Sequence, residues 1–287
     1  MQLTFLGTGT SHGIPVIGCE CEVCTSNDEK NNRTRSSVWI ETENSSFIID
    51  IATEFRIQAL REKIKKIDFV LLTHSHADHI HGIDDLRSLT RAETLPVYGN
   101  SYTLSDVTTR FSYIIENTGY IGEKPRLSFV EITENNRITL DAKLLFNDNF
   151  NDNAALKKNS INEIIPIPVK HGNLDIFGYK IGNLAYITDC SFIPEKSMQF
   201  LEEIEILIIG SLRYRQHPSH FSVEEALKII DKCRCKKAFF THFCHDIDHK
   251  KLEKELRLIP PLHKTEIQHL SYYIFTIPRH LCQIFWL

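Results

Sequence analysis

The sequence predicts an α/β protein organised around a buried sheet. Three observations carry that expectation. Short apolar runs with strand character recur along the chain, helix-like segments fill the gaps between them, and several of the runs stop at a histidine or an aspartate.

The runs come first. Ile67-Asp68-Phe69-Val70-Leu71-Leu72-Thr73 ends at His74, and Ile164-Ile165-Pro166-Ile167-Pro168-Val169-Lys170 ends at His171. Leu184-Ala185-Tyr186-Ile187-Thr188 ends at Asp189, and Lys237-Ala238-Phe239-Phe240-Thr241 ends at His242. Near-continuous apolar runs of this length suit strands buried on both faces. Open α/β sheets tend to bind ligands beyond the carboxyl ends of their strands, so four metal-type residues at four strand ends are expected to converge on one site. The segment from Thr53 to Lys66 places Phe55, Ala59, Leu60 and Ile64 near one helix face. Ser222-Val223-Glu224-Glu225 reads as a capping box opening a helix through Ala226 to Ile230. Residues 134–160 include Asn147-Asp148-Asn149-Phe150-Asn151-Asp152-Asn153, which predicts a mobile, turn-rich surface loop inside one domain spanning 1–287. Ser271 to Leu287 is apolar and aromatic but broken by Pro278, Arg279 and His280, so a last strand and a packed tail are expected.

Composition sets limits on function. With 287 residues the chain can bury a substantial core, and 42% hydrophobic with 24% charged residues is ordinary for a globular protein. The net charge of -4 argues against the basic surface that grips a long nucleic acid, so a small substrate is favoured. The opening MQLTFLGTGT lacks a basic region followed by an apolar run, which reads as no export signal and a cytoplasmic setting. No run of about 18 apolar residues suggests a membrane span. Oligomeric state is not legible, and a homodimer stays open.

His74-Ser75-His76-Ala77-Asp78-His79 is the strongest chemical signal. His74 and His76 stand two apart, so in extended chain they point the same way and can share one metal. Asp78 and His79 follow where the chain should turn and can face a second. Imidazole and carboxylate ligands suit zinc, manganese and iron. Asp189 has the chemistry of a carboxylate bridging two metals. Cys19-Glu20-Cys21-Glu22-Val23-Cys24 is a second constellation. Three thiols packed so closely without an export signal point to metal binding over disulfides, and structural zinc needs a fourth ligand from elsewhere. Cys233 and Cys235 compete for that place, although packing at a helix end suits them better, and Cys190, Cys244 and Cys282 read as core thiols.

In chain order HSHADH, His171, Asp189 and His242 resemble the signature of the metallo-β-lactamase superfamily. The resemblance is closer to the PhnP-like branch, the phosphoribosyl cyclic phosphate phosphodiesterases. It is carried by Thr4-Phe5-Leu6-Gly7-Thr8-Gly9, by the run from Gly18 to Cys24, by His74 to Arg87, by His217-Pro218-Ser219-His220-Phe221-Ser222 and by Thr241-His242-Phe243-Cys244-His245. It covers residues 2 to 245. It implies a four-layer αββα sandwich with the site at one edge of two sheets. It implies that His74, His76 and His171 bind one metal, Asp78, His79 and His242 the other, and that Asp189 bridges them. It implies that His245 completes a structural zinc with Cys19, Cys21 and Cys24.

The function so implied is metal-dependent hydrolysis of a small phosphodiester, including cyclic ones, by a metal-bridging hydroxide, with two zinc or manganese ions loaded. Asp78 and His220 are the residues expected to act in catalysis, His220 protonating the leaving oxygen or holding phosphate. His217, Arg87 and Arg213 are weaker candidates for phosphate, and His12 and His81 for places near the metals. Three alternatives remain: hydrolysis of thioesters or other carbonyls, RNA processing, and a PqqB-like metal-binding role without hydrolysis.

Overall fold

A computed structural model describes residues 1–115, 122–140, 144–146, 163–258, 271–274 and 283–285. The strands are β1 (Gln2–Gly7), β2 (Ser37–Glu41), β3 (Ser46–Ile49), β4 (Phe69–Leu71), β5 (Leu95–Gly99), β6 (Leu127–Glu131), β7 (Asn136–Thr139), β8 (Leu144–Phe146), β9 (Glu163–His171), β10 (Leu174–Ile181), β11 (Leu184–Ile187), β12 (Ile206–Gly210), β13 (Lys237–Thr241), β14 (Ser271–Ile274) and β15 (Gln283–Phe285). They form two sheets, ordered β15-β1-β2-β3-β4-β5-β6 and β14-β13-β12-β11-β10-β9-β7-β8.

Strand alternation explains the continuous apolar runs. Leu184, Tyr186, Ile206, Ile208 and Phe239 point into the layer between the sheets, where Leu3, Phe5, Phe47 and Phe69 meet them. Ala185, Ile187, Leu207, Ile209, Ala238 and Phe240 point the other way, onto the helices Val223–Cys233 and His249–Leu258. The outer face of the first sheet packs Ile48, Val70 and Val97 on the helices Phe55–Glu62 and Ser101–Arg110. Three apolar layers between four layers of structure give the αββα sandwich. Among the described residues no helix is long and apolar enough to cross a membrane.

The helix expected over Thr53–Lys66 is shorter, Phe55–Glu62, because Lys63 turns left-handed (φ 58) and its N–H closes on Ala59 and Leu60. Leu60 does not face the core; it is 64% exposed. The capping box is present as read, Ser222 accepting from Glu225 N–H and Glu225 from Ser222 N–H. The loop expected over 134–160 begins instead with β7 and β8, paired antiparallel, since Ile138 is fully buried between the sheets and pins the strand there. Asn147 to Asn153 lie outside the described residues. Ser271–Ile274 is the expected last strand of its sheet, while Gln283–Phe285 pairs with β1 where a packed tail was expected; Pro278, Arg279, His280 and Cys282 lie outside the described residues.

Strands β3 and β4 run parallel, as do β11, β12 and β13, and β9 lies two antiparallel steps from β11. Their carboxyl ends therefore share one edge of the sandwich, and Asp50, His74, His171, Asp189 and His242 all emerge there.

Candidate metal centre

Two four-residue donor sets lie at that edge. His74, His76, His171 and Asp189 form one; Asp78, His79, Asp189 and His242 form the other, and within each the donor atoms lie within 4.8 Å of one another. Asp189 belongs to both. Its Oδ1 faces His242 Nε2 at 3.0 Å and His79 Nε2 at 3.3 Å, and its Oδ2 faces His74 Nε2 at 3.8 Å. One carboxylate thus turns one oxygen to each set.

The backbone is bent to achieve this. Asp50 (φ 63), Asp189 (φ 50) and His242 (φ 61) are non-glycine residues in the left-handed region, Asp50 and His242 directly after a strand and Asp189 separated from the end of β11 by Thr188. Such conformations cost about 1–3 kcal/mol and tend to persist where function holds them.

A buried hydrogen-bond chain sets the imidazole tautomers. Asp50 accepts from Thr73 N–H (2.8 Å), from Thr73 Oγ1–H (2.8 Å) and from His79 Nδ1–H (2.7 Å). Thr73 Oγ1 in turn accepts from His74 Nδ1–H at 2.9 Å. With protons fixed on Nδ1, both rings turn bare Nε2 lone pairs inward. The fit to metal rests on what is left over. The Nε2 atoms of His74 and His79, Oδ2 of Asp78 and both ring nitrogens of His242 are buried and make no hydrogen bond. Orphaned polar atoms at this density are expensive unless a cation takes them.

The charges agree. Burial alone would raise the Asp189 carboxyl, yet His242 and His79 hold it well below the usual carboxylate range, and burial of Asp78 is likewise outweighed by His79 and His242. In return, burial that would depress His242 is overcome by Asp189, which lifts it to about 9. The carboxylates demand positive charge at the spot where metal would sit.

The cysteine cluster also closes. His245 Nδ1 lies 3.2 Å from Cys19 Sγ, 3.6 Å from Cys21 Sγ and 3.6 Å from Cys24 Sγ. The N-to-S edge of a tetrahedron around zinc is about 3.5 Å for bond lengths near 2.3 and 2.0 Å, so these residues fit zinc. The Cys24 backbone N–H draws the Cys21 thiol down to about 7, toward the thiolate a metal needs. Cys233 and Cys235 are buried in the apolar layer beneath the Val223–Cys233 helix and stand apart from this cluster; Cys190 is buried, and Cys244 only partly so.

His220 stacks on His242, ring centroids 5.0 Å apart, and lies 4.6 Å from His171. Its Nδ1 is 3.9 Å from Asp189 Oδ2, and burial pushes its pKa down to about 3 against the pull of Asp189. Other candidates fall outside the two sets. Arg87 ion-pairs with Asp84 and lines a separate cavity of about 370 Å3 with Phe55 and Ala59. His12 lines another, of about 490 Å3, with Glu54 and Arg61. His81 is exposed and meets the Phe111 ring edge-on. Arg213 donates to the carbonyls of Arg215 and Gln216 and shapes the loop before His217. The residue that reading the sequence passed over is Asp50. Phe47-Ile48-Ile49-Asp50 carries the same signal as the other runs, an apolar strand ending on a carboxylate.

Residues 46–243 match the family described as Beta-lactamase superfamily domain. Among solved structures, a diphosphatase from the PhnP family is similar with TM-score 0.79 and 33% identity, covering 100% of this chain and 98% of that one. An octanoyltransferase of Porphyromonas gingivalis is 35% identical over 264 residues, 91% of this chain but 49% of the relative. A ribonuclease Z of Bacillus subtilis is 37% identical over 103 residues, 34% of this chain and 30% of the relative. The chain spans about half the length, or less, of the curated relatives it matches.

Proposed function

The chain belongs to the beta-lactamase superfamily and, within it, to the PhnP family, and on that premise we propose that it is a metal-dependent hydrolase of small phosphodiesters. The observation that carries the reading is Asp189, one oxygen turned to each donor set, with His220 stacked on His242 beside it. His74, His76 and His171 would hold one divalent metal, Asp78, His79 and His242 the other, and Asp189 both. Zinc or manganese suits this mixed imidazole and carboxylate set. When bound there, such ions would lower the pKa of a coordinated water and neutralise charge on a phosphoryl group.

The chain's own residues do the rest. Asp50 and Thr73 keep the protons of His79 and His74 on Nδ1, so the inward nitrogens stay bare. Burial of Asp78, His79 and Asp189 excludes bulk water and strengthens every charge interaction. As the new P–O bond forms and the old one breaks, His220 Nδ1, on the Asp189 side, passes a proton to the leaving oxygen. Burial lowers its pKa, and the negative charge of a bound diester would draw that pKa back up, so that the ring takes up the proton it then passes on. Cys19, Cys21, Cys24 and His245 would hold a structural zinc that ties the N-terminal loop to the segment after His242.

The net charge of -4 supports a small substrate over a polymer. The octanoyltransferase relative is about twice this chain's length, so its name lends acyl transfer to this site no support of its own. The test is a panel assayed with the zinc-loaded and the manganese-loaded protein: cyclic nucleotides, cyclic ribose phosphates, p-nitrophenyl diesters, thioesters and long RNA. Turnover of small diesters is expected. Activity confined to RNA or to thioesters refutes the reading.

A further inference from the structure

One residue, Ser219, touches two histidines through opposite ends of its backbone. Its carbonyl accepts from His171 Nδ1 at 2.6 Å. A carbonyl cannot donate, so His171 carries its proton on Nδ1 and offers a bare Nε2 to the first donor set. Its amide N–H donates to His217 Nδ1 at 3.3 Å, and its hydroxyl lies 3.2 Å from the same atom. An amide cannot accept, so a neutral His217 has a bare Nδ1 and its proton on Nε2. Burial, with Arg213 next in weight, depresses the His217 pKa and keeps the ring neutral. Ser219 therefore imposes opposite tautomers on two neighbouring imidazoles: one becomes a ligand, the other a donor.

The donor is well placed. His217 is half-buried, with its ring centroid 5.0 Å from that of His220, which itself lies 4.6 Å from His171 and 5.0 Å from His242. It stands at the outer end of a row of imidazoles that starts at the donor sets. Gly172 fits this arrangement. It holds φ +58, and a Cβ there would come 3.2 Å from Ser219 Cβ, so any side chain at this turn would be strained and would crowd Ser219.

We propose that His217 binds a non-bridging oxygen of the substrate's phosphoryl group through Nε2–H, and that Ser219 is the positioning residue that fixes this tautomer together with that of His171. The inference rests on the phosphodiester reading for the identity of the oxyanion, but the tautomer does not. In the metal-loaded, 15N-labelled protein, the His217 ring is expected to show its proton on Nε2 and a bare Nδ1, and inorganic phosphate is expected to perturb the Nε2–H signal. A proton on Nδ1, or no response to phosphate at any concentration up to that which inhibits, overturns the proposal even if diesters are hydrolysed. On diester substrates His217→Ala should raise KM by roughly 10- to 100-fold, the factor for one hydrogen bond to a charged group, with much less change in kcat and no change in metal content. His217→Gln, whose amide reaches close to the Nε2 position, should recover most of the loss, and the shorter His217→Asn should not. Equal KM in all three variants and the native protein overturns the proposal. Should the native protein hydrolyse no diester, the proposed function fails while the tautomer and phosphate measurements still decide this inference.

Discussion

Asp50→Asn is the sharpest probe of the buried network, because it keeps shape and removes one acceptor. In the native protein Asp50 accepts three hydrogen bonds, at 2.8, 2.8 and 2.7 Å, and is fully buried. An asparagine can keep its oxygen on the Thr73 amide. Its NH2 then sits where Oδ2 was, donating to Thr73 Oγ1 and facing His79 Nδ1. Two donors cannot share that contact, so His79 must move its proton from Nδ1 to Nε2, the atom it turns toward Asp78 and Asp189 at 3.2 and 3.3 Å. A protonated Nε2 cannot bind metal. Substitution of such an outer partner costs roughly 10- to 100-fold in metal affinity, equivalent to about 1.4–2.7 kcal/mol. Thr73 Oγ1 has two lone pairs, so it can accept from the NH2 and from His74 Nδ1–H together and preserve the His74 tautomer; the loss should therefore fall chiefly on the set built from Asp78, His79 and His242. The assay is a titration against a competing chelator, with bound metal counted at each step. A weakened second site beside an unchanged first is the expected result. Equal affinity at both sites, or equal loss at both, refutes the argument that Asp50 acts through the His79 tautomer.

Asp189→Ala should remove at least one metal and nearly all activity; full metal content measured by elemental analysis contradicts the bridging role. Cys21→Ser should lower the melting temperature in a calorimetric scan while leaving affinity at the two-metal centre close to native, since zinc binding there is folding free energy. An unchanged metal count in that variant removes the zinc site from the account. His220→Ala should cut turnover by about 10²–10⁴-fold on diesters with an alkoxide leaving group and far less on p-nitrophenyl esters, which need no proton. An equal loss on both classes would assign His220 to phosphate binding.

Much of the candidate site is legible in the sequence because its imidazole and carboxylate donors sit at or just beyond strand ends. His74 to His79 stand together in the chain, and the apolar runs before His171, Asp189 and His242 mark where those strands stop. The sandwich came through the same runs, read with the family resemblance. What hydrogen bonding alone decides was not legible. Asp50 has the same strand-end signal as the others, but it acts through Thr73 and His79, and no spacing rule encodes a tautomer. The opposite protonation of His171 and His217 hangs on the two sides of the Ser219 residue, which only folded geometry brings to them. Leu60 was misplaced because a helical pattern fixes a stripe, not which end of it the core covers, and the left-handed turn at Lys63 has no glycine to announce it.

The cysteine cluster has a consequence for biosynthesis. Cys19 meets a histidine 226 residues further along, in a segment that also carries His242. At 5–20 residues per second, roughly 10–45 s pass between the synthesis of the three thiols and that of their fourth partner. Throughout that interval the thiols can hold an ion only as an incomplete set, and the edge where Asp50 and His79 wait lacks His242. The last donors of both clusters, His242 and His245, are encoded by the same few codons, so a chain stalled before them completes neither cluster, and the finished protein gains both in a single late event.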